Sequence, residues 1–96
     1  MFGKKKGIPV QLDKKRYLRL ELQGMVAFEL LTNKPIFLLS TIETLSPEEI
    51  VILLWACLIH EGLSVEEVGK IYNGLDKEKI DELAEKLPVA WRDGHK

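Results

Sequence analysis

The sequence predicts an α+β domain that is predominantly α-helical, a short N-terminal β-hairpin followed by four or five packed helices. Apolar and polar residues alternate over residues 17–22, and from Gln23 the apolar residues switch to helical spacing. Farther along, Ser46 and Ser64 each stand three residues before a glutamate, Glu49 and Glu67, which is the capping-box signature of a helix start. A chain of 96 residues with 46% hydrophobic and 30% charged residues has room for one core and lies outside the composition of disorder. The expected organisation is a flexible basic tail over residues 1–7, one globular domain over 8–91 and a frayed end over 92–96.

The hairpin rests on Ile8, Val10 and Leu12, the polar stretch 13–16, and a second strand with Leu18, Leu20 and Leu22 on one face and Tyr17, Arg19 and Glu21 on the other. Pro9 has no N–H to give a ladder, so the first strand belongs at an edge or is very short. Met25, Phe28 and Leu31, interleaved with Val26 and Leu30, then mark a helix that Asn33, Lys34 and Pro35 interrupt. Ile36, Phe37, Leu38, Leu39 and Ile42 predict a short helix or helical turn packed on the hairpin over residues 36–44.

The next helix has Ser46 as N-cap, Pro47 at its first position, Leu45 and Ile50 as a hydrophobic staple, and a stop at Gly62 after about Glu61. Residues 50–59 are apolar on every side, so this helix must be surrounded by other elements or by another chain. The same grammar repeats with Ser64, the staple Leu63 and Val68, and the stop Asn73 and Gly74. A third helix is capped by Asp76 and stapled by Leu75 and Ile80. Ile80, Leu83, Ala84 and Leu87 form its stripe, and Pro88 is expected to end it; Trp91 follows with no clear period.

Lys plus Arg (14) balances Asp plus Glu (15), leaving a net charge of −1 and no general attraction to nucleic acid or an anionic membrane. The apolar run 50–59 spans roughly 15 Å as a helix, half a bilayer core, so it is not a membrane span. Lys4, Lys5 and Lys6 are not followed by a signal-peptide core, and the lone Cys57 forms no internal disulfide; both fit a reducing cytoplasm.

No constellation predicts an enzyme or a cofactor. Cys57 and His60 share a helix face but fall short of a metal ligand set, and a thiol in an apolar run is a poor nucleophile. The second histidine, His95, lies in the tail. Glu48, Glu49, Glu66 and Glu67 sit in first helical turns, where negative charge favours the macrodipole, and residues 4–6 and 14–16 read as solvated charge. The helix 64–73 follows a turn as in a helix-turn-helix DNA-binding regulator, the alternative reading, yet it would offer bases Glu66, Glu67 and only Lys70.

The order of features from Tyr17 to Asn73 resembles the tail assembly chaperones of long-tailed bacteriophages, prophages and gene-transfer particles. The resemblance lies in the hairpin, a helix with Glu29 near its end, the turn Thr32, Asn33 and Lys34, and above all Leu53, Leu54, Trp55, Ala56, Leu58, His60 and Glu61 followed by Leu63, Ser64, Glu66, Glu67 and Val68. It covers about two thirds of the chain and its motifs are structural. The family's turn usually has a glycine where this chain has Asn33, which also tolerates the left-handed conformation. The resemblance implies a protein that binds the tape-measure protein, with the tail-tube subunit as a further partner, during tail assembly and is absent from the finished particle. It also implies a longer, frameshifted relative.

On this reading exposed members of the Met25, Phe28 and Leu31 set and of the Trp55 and Leu58 set hold an apolar helix of the partner, with Glu66, Glu67 and Lys70 as a polar rim. The apolar circumference of residues 50–59 further predicts a homo-oligomer.

Overall fold

The computed structural model describes residues 7–33 and 46–94. Strands β1 (Ile8–Gln11) and β2 (Lys15–Leu18) form the antiparallel hairpin, and helices α1 (Leu22–Thr32), α2 (Pro47–Cys57), α3 (Val65–Asn73) and α4 (Lys77–Gly94) follow, with a 3₁₀ turn at Ile59–Glu61. This is the mostly helical α+β class that the periodicities predict. The short segment anticipated at 36–44, and the staple residue Leu45, lie outside the described residues.

In the hairpin Ile8 pairs with Leu18 and Val10 with Arg16, so the inward face carries Val10, Leu18 and Arg16. The strand stops earlier than the alternation suggests. Instead of extending the ladder, the Arg19 N–H donates to the Cys57 carbonyl at 2.9 Å, and the chain turns into α1. Leu20 stays buried, but Leu22 becomes the first residue of α1 and is 74% exposed, not a core residue.

Arg16 corrects the reading of residues 14–16 as solvated charge. It is buried, and its Nε and Nη2 donate to the two Asp13 carboxylate oxygens at 2.7 and 2.8 Å while its Nη1 pairs with Glu61. A bidentate fork of this kind fixes direction as well as charge. It ties the hairpin turn to the 3₁₀ turn that ends the α2 region.

Helix α1 ends on Asn33 at φ 59, with its N–H on the Glu29 carbonyl, so the asparagine fills the left-handed cap that a glycine would otherwise take. α1 lies close against α2 because Gly24 has no side chain: a Cβ there would sit 2.5 Å from the Ala56 carbonyl oxygen.

Helix α2 opens with the full capping box of Ser46 and Glu49 and buries Leu53, Leu54, Ala56 and Cys57. It is shorter than the sequence suggests. Regular α-helix ends at Cys57, and the 3₁₀ turn carries the chain to Gly62, whose φ of 77 is the left-handed stop. The Trp55 indole N–H donates to the Leu63 carbonyl at 2.9 Å and holds the start of α3 against α2. Ser64 and Glu67 complete the second capping box, and Val68 is the fully buried anchor of α3.

Asp76 caps α4 by accepting from the Lys79 N–H at 2.9 Å. Pro88 does not end this helix. The backbone continues through Gly94, because Leu83, Leu87 and Ala90 recur on one face and are buried on both sides of the proline. The carbonyl that loses its donor belongs to exposed Ala84, where water can satisfy it. The helix bounds thus take in Arg92, Asp93 and Gly94 of the end expected to fray, and residues 95–96 lie outside the described residues. Lysines of α4 clamp the hairpin, with Lys86 Nζ on the Pro9 carbonyl at 2.6 Å and Lys79 Nζ on the Leu12 carbonyl at 3.2 Å.

Candidate functional site

Cys57, Asp13 and Arg16 have structural settings. Burial pushes the Cys57 thiol up to about 12, so at neutral pH it is protonated and packed as a small hydrophobe. The Arg16 hydrogen bond holds the Asp13 carboxyl below the usual range, and Asp13 in turn raises Arg16. Among the described residues no three of His, Cys, Asp and Glu gather as metal ligands, and no helix is long and apolar enough to cross a membrane.

Apolar surface is the feature that remains. Helix α1 carries one charged residue, Glu29, and is apolar on two sides. Its inner side gives Gly24 and Phe28 to the core, while its outer side leaves Leu22, Val26, Leu30 and Leu31 at 74, 49, 78 and 55% exposure. Leu22, Val26 and Leu30 are spaced by one helical turn each and form a straight row of roughly 12 Å. With Leu31 they are the exposed large hydrophobic residues among those described. A row of this kind marks an interaction surface more often than scattered single residues do.

A second apolar feature lies between α2 and α3. Pro47, Glu48, Val51 and Ile52 of α2 face Val65, Glu66, Gly69, Lys70, Tyr72 and Asn73 of α3 across a groove of ≈ 510 Å³.

Of the residues anticipated to meet a partner, Phe28 and Leu58 are fully buried and cannot touch one. Met25 and Trp55 are half-buried against the core, with the indole N–H already engaged by Leu63. Leu31 is exposed beside the α1 row. Glu66 and Lys70 border the α2–α3 groove, while Glu67 serves the capping box. The structure thus splits the anticipated site: Leu31 goes to α1 and the polar residues to the groove. On α2 the apolar residues divide between the core and a half-buried side of Ile50, Val51, Ile52 and Trp55.

Leu22, Val26 and Leu30 of the outer row, and Val51, Val65, Gly69 and Tyr72 of the groove, were not singled out from the sequence. The signal for the first group was present, because two interleaved apolar series on one short helix cannot both face a single core. Comparison with protein-family models, with curated proteins and with solved structures finds no match to this chain.

Proposed function

We propose that this protein is a non-enzymatic tail assembly chaperone that binds an apolar helical segment of a tape-measure protein, with the tail-tube subunit as a further partner. The observation that carries the proposal is the outer row of α1, three large apolar side chains one turn apart on a helix whose opposite side is already in the core. An amphipathic client helix laid against such a row buries its own i, i+4 series, the helix-in-groove mode of recognition. The resemblance of residues 17–73 to the phage family supplies the identity of the client.

The test is co-expression with a tape-measure gene from the same genome, reading the client's soluble yield. The yield rises with the chain present and falls back with Leu22→Glu/Leu30→Glu, which alters exposed positions and leaves the core intact. An unchanged yield, together with a shift of duplex DNA at physiological salt, would replace this reading with that of a DNA-binding regulator.

A further inference from the structure

We propose that the groove between α2 and α3 is a second docking seat, distinct from the α1 row, for an amphipathic helix whose apolar face is bordered by lysine or arginine. The seat does not depend on the identity of the client proposed above. Its walls are two helices with one pattern: Pro47, Glu48, Val51 and Ile52 on α2, and Val65, Glu66, Gly69 and Lys70 on α3, each set at positions i, i+1, i+4 and i+5. Two facing rows of this kind accept the ridge of a third helix, and each spans about one and a half helical turns.

Gly69 gives the groove its floor. A glycine inside a helix is unfavourable, so a packing reason is the first thing to seek. Among the described residues none is present: a Cβ at Gly69 would meet Val51 Cγ1 at 3.9 Å, ordinary contact, with nothing nearer. Gly24 is the contrast, since a Cβ there strikes backbone at 2.5 Å. Gly69 therefore serves the space above it, where a larger side chain would fill the channel between Val51, Val65 and Tyr72.

The rim sets the charge of the occupant. Glu48 and Glu66 stand on the two walls, Glu49 and Glu67 lie next to them in the same first turns, and Lys70 is the base among the lining residues. With Glu49 and Glu67 held in their capping boxes, the two carboxylates of Glu48 and Glu66 against the one ammonium of Lys70 favour a cationic border on the incoming helix.

The experiment is amide chemical-shift mapping of the full chain with two synthetic helical peptides that share a leucine face and differ only in lysine or glutamate flanks. The lysine peptide is expected to shift Val51, Val65, Gly69 and Tyr72 and to bind about tenfold tighter than the glutamate peptide in low salt, a gap that narrows as salt screens the rim. Gly69→Leu should abolish the groove shifts, and Glu48→Lys/Glu66→Lys should invert the preference between the peptides. Spectra that superimpose away from the groove verify that each variant folds. Shifts confined to α1, equal affinity for both peptides, no shifts at millimolar peptide, or undiminished binding to Gly69→Leu would each overturn the proposal.

Discussion

The same substitution, glycine to alanine, is expected to act with opposite sign in α1 and in α3. At Gly69 the new methyl meets Val51 Cγ1 at 3.9 Å without crowding, so the change removes backbone freedom from the unfolded chain and adds helix propensity. The gain is about 0.5–1 kcal/mol. At Gly24 the methyl lies 2.5 Å from the Ala56 carbonyl oxygen and 3.2 Å from its carbon, both backbone atoms that cannot swing aside. Restoring contact distance requires α1 to move away from α2 by about 1 Å, and overpacking of this type costs about 1–3 kcal/mol. After the propensity gain is subtracted, a net loss of up to about 2.5 kcal/mol remains. Thermal unfolding followed by circular dichroism reads both, since 1 kcal/mol moves the midpoint of a domain this size by about 4–8 °C. Gly69→Ala should melt higher than the parent and Gly24→Ala lower. A higher midpoint for Gly24→Ala would refute the packing argument there, and a lower one for Gly69→Ala would refute it at the groove.

Further outcomes follow from the same geometry. Arg16→Ala leaves Asp13 and Glu61 facing each other without their shared cation, for a loss of about 1.5–3 kcal/mol in urea unfolding. Because the folded Asp13 carboxyl titrates below its usual range, its contribution is complete above the unfolded value near 3.9 and fades as pH falls through the folded one. The acid limb of stability against pH should therefore flatten in Arg16→Ala. Cys57 has the opposite sign: its raised folded value of about 12 keeps its stabilisation complete below the unfolded value near 8.5 and erodes it above that by about 1.4 kcal/mol per pH unit. Cys57→Ala should lose this alkaline slope, and a thiol reagent at neutral pH should label Cys57 only as fast as the chain opens. Light scattering at roughly 100 μM should show self-association that Leu30→Glu reduces, since the α1 row holds the most exposed large apolar side chains among the described residues; a strict monomer would count against it.

The two capping boxes, the left-handed stop at Gly62 and the left-handed cap at Asn33 were legible because each depends on residues close in sequence. Arg16 was not. Its burial depends on Glu61, forty-five positions away, meeting the hairpin turn, and no local pattern records that pairing. Pro88 misled for the related reason that a helix held by Leu83, Leu87 and Ala90 tolerates a break in its backbone ladder. Of the site, the residue types were readable but their grouping was not. Phe28 and Leu30 belong to one helix, and only the position of α2 decides which of them is core. The groove was hidden because Gly69 carries no side chain to attract notice, and its meaning depends on Val51 across the interface.

The central claim, that α1 presents a seat for a client helix, is tested most directly by calorimetric titration of the purified chain with tape-measure fragments, parent against Leu22→Glu/Leu30→Glu. The parent should bind at least one fragment with micromolar or tighter affinity, about −8 kcal/mol, and the variant at least tenfold more weakly with its melting temperature unchanged. Binding of equal strength by parent and variant, or no binding by the parent to any fragment, would contradict the account.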